Sequence, residues 1–234
     1  MDDKLYVSEA LASVQQRLVI AEAAGVSEYE CMGRRFVVHE EVFPPTHFQS
    51  TGIFTQHLPY ARGKSFLEIG CGAGVTAVTA ALEGCYPVVA SDISEPAVRN
   101  AQANAILHDV SDRMASRHGD LFDVLNDNER FDIIFWNSNF VFVPDNYTFE
   151  KNILRAFCDA GYLAHRRFLK EAPCHLNPGG MLLIGFSSQG ADKALTMLLD
   201  EQGYSSKVLK SVLGEGIGAH RYDILQLLPG ERTT

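Results

Sequence analysis

The sequence predicts an α/β fold on a parallel sheet, and three observations predict it. The first is S-F-L-E-I-G-C-G-A-G-V, 65–75, where an apolar run ends in Gly70, Gly72 and Gly74 and passes directly into an alanine-rich helical stretch, 75–82. The second is a repeat of that order, with an apolar strand over 86–94 that ends in an acid and a helix over 96–108. The third is a pair of further apolar strands, 130–140 and 181–186. Strand, glycine turn and helix together form the first unit of a Rossmann-like, nucleotide-binding sheet. Glycine lets a ligand approach the main chain without a Cβ in the way. The helix start adds free N–H groups and a partial positive charge.

Composition bounds the reading. The 234 residues suit one α/β domain, 61–234, with a modest N-terminal extension, 1–60, as a lid or a substrate or dimer element. An apolar share of 46% with 21% charged residues is that of a soluble globular chain, and no run reaches the length of a membrane span. The start, M-D-D-K-L, lacks a signal-peptide hydrophobic region. Five cysteines without a C-x-x-C pair read as reduced thiols of a cytoplasmic protein. No His/Cys/Asp group has ligand spacing, so no metal is expected. A net charge of −9 argues against nucleic acid as partner, and the densest basic patch, His165, Arg166, Arg167 and Lys170, reads as a solvated helix face.

The ligand follows from the glycine spacing. A dinucleotide fingerprint would place its third glycine at Val75, whereas here it falls at Gly74, and Glu68 precedes Gly70 by two residues. Both features oppose a nicotinamide-dependent oxidoreductase, the competing class. E-I-G-C-G-A-G resembles the E/D-x-G-x-G-x-G motif of class I S-adenosylmethionine-dependent methyltransferases. The resemblance implies S-adenosyl-L-methionine as cofactor and S-adenosyl-L-homocysteine as product, held at Glu68, Gly70, Gly72 and Gly74. It also implies a seven-stranded sheet of order 3-2-1-4-5-7-6 with the last strand antiparallel.

Taken in order, 8–24 reads as an amphipathic helix with Leu11, Val14, Leu18 and Ile20 near one face, stopped by Gly25. Residues 34–45 read as one or two short strands ending at the double proline. The polar and aromatic stretch 46–54 precedes the first strand of the sheet. In similar enzymes it folds over the cofactor, which implies Phe48, Ser50 and Thr51 as neighbours. Asp92 lies 22 residues after Gly70, near the spacing of the acid that grips ribose hydroxyls, with Ile93 beside it. An Asp at a strand end can instead cap the next helix, but Ser94 and Pro96 supply that opening and leave Asp92 for the ligand. The run A-V-x-x-A-x-x-N-A in 97–105 resembles the same helix of amino-nitrogen methyltransferases. A weaker strand, 114–118, ends in G-D-L-F. By the resemblance, Asp120 bonds the adenine amino group and Leu121 flanks the ring.

The strand 130–136 runs out into N-S-N-F, 137–140. This tetrapeptide resembles the N-P-P-Y/F motif of methyltransferases acting on planar nitrogens, including glutamine side chains of release factors and ribosomal proteins and adenine in nucleic acids. Asn137 and Phe140 match its outer positions, while Ser138 and Asn139 replace both prolines and should loosen the turn. The resemblance implies that Asn137 orients the acceptor nitrogen and that Phe140 stacks on it. Residues 141–158 read as an insertion with Asp145, Asn146 and Tyr147 as candidate contacts. The stretch 159–184 resembles the D-G-x-x-x-x-x-R-x-x-L-x-x-A-x-x-x-L-x-P-G-G-x-L segment of the glutamine-methylating enzymes, with Pro178-Gly179-Gly180 as the turn into the fifth strand. A helix over 192–202 and strands near 206–213 and 220–228 close the fold.

The expected activity is methyl transfer from S-adenosylmethionine to a planar or amino nitrogen of a protein side chain or a small molecule. The alternatives are a small-molecule O- or C-methyltransferase and a non-catalytic S-adenosylmethionine-binding protein. A hydroxyl or ammonium acceptor would need a base, for which His47 and His165 are candidates.

Overall fold

In the computed structural model the described residues are 3–216 and 219–230. The chain opens with helix α1 (Asp3–Ala23), the antiparallel hairpin β1 (Ser27–Cys31) and β2 (Arg34–Val38), and helix α2 (Ser50–His57). The hairpin begins earlier than expected, and 39–45 is not a strand. Its two-residue turn, Met32 (φ 52°) and Gly33 (φ 70°), has the left-handed backbone that a tight hairpin requires. The alternation in β1 is plain in hindsight, with Glu28 and Glu30 exposed and Cys31 buried. Helix α2 takes up the second half of the polar and aromatic stretch 46–54.

The sheet follows: β3 (Phe66–Ile69), α3 (Val75–Leu82), β4 (Val88–Asp92), α4 (Glu95–Leu107), β5 (Met114–His118) and β6 (Phe131–Asn137). Next come the short β7 (Val141–Val143) and β8 (Cys158–Ala160), then α5 (Leu163–Glu171), β9 (Leu176–Ser187), α6 (Asp192–Glu201), β10 (Tyr204–Leu213) and β11 (Arg221–Pro229). Across the sheet the order is β5-β4-β3-β6-β9-β11-β10. In sheet-strand numbering this is the anticipated 3-2-1-4-5-7-6, and β11 alone runs opposite to its neighbours.

All four residues of β3 are buried because helices cover both of its faces. Leu67, Ile69, Ile134 and Leu182 join one core, which takes in Val14 of α1, Phe168 of α5 and Leu198 of α6. Phe66, Ile133, Phe135 and Leu183 join the other, with Phe54 of α2, Ala77 of α3 and Ala101 of α4. The Pro178-Gly179-Gly180 sequence lies within β9 as an irregularity. Phe131 pairs with Leu176 and Ile133 with Met181, so 177–180 bulge outward.

Residues 141–158, read as a loop insertion, and the two that follow form a small parallel ribbon of β7 and β8 around a 3₁₀ turn (Asn152–Ala156). This ribbon carries one wall of the cleft described next.

Candidate active site

A cleft of about 740 Å³ opens at the carboxyl ends of β3, β4, β5 and β6, where open parallel sheets bind ligands. It collects Thr51, Glu68, Gly70, Gly72, Asp92 and Ile93. It also collects Asp120, Leu121, Asn137 and Phe140 from distant points of the chain.

Gly72 and Gly74 do different work. At Gly72 (φ 53°) a Cβ would meet nothing within 4 Å, so its backbone lies open to the cleft. At Gly74 (φ 75°) a Cβ would fall 2.7 Å from the Ala101 Cβ. That glycine therefore serves the packing of α3 on α4.

Glu68 does not project freely to a ligand. It is 2% exposed, and its Oε2 accepts the Ala77 N–H at 2.8 Å, which satisfies one of the open donors at the start of α3. Burial pushes its carboxyl up to about 8, against hydrogen bonds from Thr76 and Ala77. The acid thus ties β3 to α3 beneath the loop.

Asp92 is likewise engaged. Its Oδ2 accepts the Gly72 N–H at 2.9 Å and its Oδ1 the Ser94 N–H at 2.8 Å. Burial raises its carboxyl above the ordinary value, with both bonds opposing the rise. The expectation that Ser94 would free Asp92 from capping is corrected, because the Ser94 side chain makes no cap and Asp92 closes the turn itself. Each oxygen still has a lone pair for a ligand hydroxyl.

Asp120 is held by the Arg167 guanidinium, which also bonds Glu171 at 3.2 Å. Arg167, assigned from sequence to a solvated face, therefore positions a cleft acid. Beside Asp120, Leu121 is buried with a left-handed backbone (φ 47°), a costly state for a bulky residue that turns the chain under the cleft.

The N-S-N-F turn departs from expectation in an instructive way. Ser138 Oγ donates to the Gly185 carbonyl at 2.8 Å. Asn139 Nδ2 donates to the carbonyls of Arg155 (3.0 Å) and Cys158 (3.1 Å), and the Tyr162 hydroxyl donates to the Phe140 carbonyl at 2.6 Å. These tethers replace the two prolines as stiffeners, so Ser138 and Asn139 do not loosen the turn. Phe140 is 7% exposed, with its ring edge-on to Phe186 at 6.2 Å, so it presents only a margin to the cleft. Asn137 alone of the four lines the cleft with a side-chain amide that bonds no other described residue.

Other candidates fall away. His165 is 2% exposed, and its Nδ1 bonds Asp159 at 2.8 Å among the rings of Trp136 and Tyr162. That places it outside the cleft wall and out of reach as a base. Asp145, Asn146 and Tyr147 also lie away from the cleft, whose wall there is made by Phe149, Ile153 and Arg155. His47 lines the cleft and is exposed.

Two supports were missed from sequence. Asn100 and Asn104 of α4 are fully buried and bind the edge of β2, accepting the His39 and Val37 N–H groups at 2.8 and 2.9 Å. Asn104 also donates to the Ala73 carbonyl of the glycine loop at 2.8 Å. The second is Arg17, which lines the cleft from α1, a helix the sequence did show.

The cleft suits the cofactor implied by the motif, having an open glycine backbone at Gly72 and acids at three strand ends. Comparison with known proteins agrees. Residues 33–208 match the family described as "Methyltransferase small domain". The chain is 34% identical over 213 residues to the release factor glutamine methyltransferase of Neisseria gonorrhoeae, covering 83% of this chain and 73% of that one. It is 37% identical over 94 residues to the ribosomal protein L11 methyltransferase of Alkaliphilus metalliredigens, covering 39% of this chain and 29% of the relative. In fold it resembles a T. thermophilus 16S rRNA N2 G1207 methyltransferase solved with AdoMet and guanosine. That likeness has a TM-score of 0.55 and 18% identity, and covers 88% of this chain and 50% of that one. The chain belongs to the methyltransferase small-domain family and is an S-adenosylmethionine-dependent methyltransferase.

Proposed function

We propose that this enzyme methylates a planar or amino nitrogen, with Asn137 as the residue that orients it. The observation that carries the reading is the side chain of Asn137. It stands at the carboxyl end of β6 on a turn pinned by Ser138, Asn139 and Tyr162, and it lines the cleft with an amide that bonds no other described residue. When bound, S-adenosylmethionine supplies an already activated methyl group on a sulfonium. The protein's contribution is alignment and a shielded pocket.

Asn137 accepts an N–H of the acceptor through its amide oxygen and so fixes the direction of the nitrogen lone pair. An amide or aniline-like nitrogen depends most on such a bond, because its lone pair is otherwise conjugated. Gly72, Asp92, Ile93, Asp120, Leu121 and Thr51 hold the cofactor, with Glu68, Gly70 and Gly74 shaping the loop that presents it. The ring edge of Phe140 closes the acceptor side. The similarity to a release factor glutamine methyltransferase supports a planar nitrogen, and the net charge of −9 supports an acceptor other than nucleic acid.

Incubating the protein with methyl-labelled S-adenosylmethionine and a cell lysate, then separating protein, nucleic acid and small-molecule fractions, tests this. Acid-stable label on nitrogen in the protein or small-molecule fraction is expected. Label on oxygen or carbon, or in nucleic acid alone, would contradict it.

A further inference from the structure

Arg17 is an arginine without an acid. It projects from α1 into the cleft, is 9% exposed, and has no described carboxylate within 4.0 Å. Its Nε donates to Ser13 Oγ at 3.2 Å, and neither terminal nitrogen of the guanidinium bonds another described residue. The guanidinium lies over the Phe48 ring at 5.3 Å, and Phe48 in turn packs on Phe43 and Phe157 at 5.0 and 5.2 Å. Burial pulls the guanidinium below its ordinary pKa, the mark of a cation held away from water.

A buried cation is expensive unless it is paired, and a ring face offsets only part of that cost. The buried or half-buried acids of the same cleft are committed elsewhere. Glu68 bonds Ala77, Asp92 bonds Gly72 and Ser94, Asp120 bonds Arg167, and Asp159 bonds Ala164 and His165. Glu41 and Glu215 are exposed and lie beyond pairing distance. Arg17 stands near Tyr222 of β11 and Cys158 of β8, on the opposite side of the cleft from Asp92 and Asp120. That is the side of Asn137.

We infer that Arg17 anchors a carboxylate-binding subsite in the acceptor half of the cleft, and that the methyl acceptor is a small molecule bearing a carboxylate. The inference rests on the methyltransferase reading above and names its substrate class. A planar guanidinium presents paired N–H donors that match a carboxylate two-for-two. The Phe48 and Phe157 rings supply an apolar wall for the body of such an acid.

The carboxylate could be that of the acceptor or that of the cofactor's own methionine tail, and one experiment separates them. S-adenosylhomocysteine affinity is measured first for the wild type, R17M and R17K. Each protein, saturated with S-adenosylhomocysteine, is then titrated with benzoate and with benzamide. Benzoate is expected to bind wild type at least about tenfold more tightly than benzamide. That preference should vanish in R17M and persist in part in R17K, with S-adenosylhomocysteine affinity within about twofold throughout. Equal binding of benzoate and benzamide by wild type, or a preference that survives R17M, would overturn the subsite. A loss of S-adenosylhomocysteine affinity of about tenfold or more in R17M and R17K would assign the guanidinium to the cofactor's tail. Failure of wild type to bind S-adenosylhomocysteine would instead strike the methyltransferase reading, before any acid is added.

Discussion

Asp92 Oδ2 accepts the backbone N–H of Gly72 at 2.9 Å, so the acid that ends β4 holds the glycine loop that ends β3. Removing it disturbs both the loop and the cleft wall beside it. D92A is expected to lower S-adenosylhomocysteine affinity by about tenfold or more, since it strands the part-buried N–H groups of Gly72 and Ser94 and removes a cleft-lining acceptor. D92N, which keeps one acceptor oxygen, should fall between. Calorimetric titration checks the order, and an unchanged affinity in D92A would contradict it.

Gly72 and Gly74 share a left-handed backbone but differ in what surrounds them. G74A is expected to destabilise the fold by about 2–4 kcal/mol, from backbone strain plus overpacking against Ala101. G72A should lose only about 1–2 kcal/mol of stability, from strain alone, yet bind S-adenosylhomocysteine poorly because the new methyl projects into the cleft. Urea unfolding read beside ligand titration separates the two, and equal stability losses would count against the assignment.

The buried Glu68 makes stability fall with rising pH. Its carboxyl is pushed up to about 8 in the folded chain, above its value of about 4.3 in an unfolded one. The folded state therefore binds the proton more tightly. The corresponding stability is complete below about pH 4 and is lost as pH climbs through about 8. The melting temperature of the ligand-free protein should fall between about pH 5 and 8.5, and E68Q should flatten that fall because the amide still accepts the Ala77 N–H without ionising. Asp92, also raised by burial, leaves a residual slope of the same sign. An unaltered slope in E68Q would show that the acid does not titrate in this range.

Asn104 links β2 to the glycine loop through Val37 and Ala73. N104A strands the part-buried Val37 N–H and takes the donor from the Ala73 carbonyl, while Asn100 still serves the Val37 carbonyl, for a loss of about 2 kcal/mol. A lower urea midpoint at constant slope is the expected result. A loss under about 0.5 kcal/mol would mean that water replaces the amide.

The sheet was legible because apolar strands run into turn signals, as at E-I-G-C-G-A-G after β3 and at the S-D-I-S that closes β4. Sequence periodicity could not show that Glu68 and Asp92 are spent partly on backbone donors, since Ala77 donates from α3 and Gly72 from the loop after β3. The N-S-N-F turn misled for the same reason. The stiffness that prolines would carry in the chain is carried across space, by Gly185, Cys158 and Tyr162. Arg17 was invisible because its meaning lies in what it lacks. An arginine on an amphipathic helix reads as solvated until the fold lays it over Phe48. Asn100 and Asn104, in an alanine-rich helix, carried a signal in their spacing of four residues, which puts two buried amides on one face.

The most direct test of the account is Asn137→Ala, followed by S-adenosylhomocysteine binding and by labelled-methyl transfer into the fraction that wild type labels. The account predicts affinity within about twofold of wild type and transfer reduced by about a hundredfold or more. Affinity lost in step with transfer, or transfer undiminished, would contradict the role of Asn137 in orienting the acceptor.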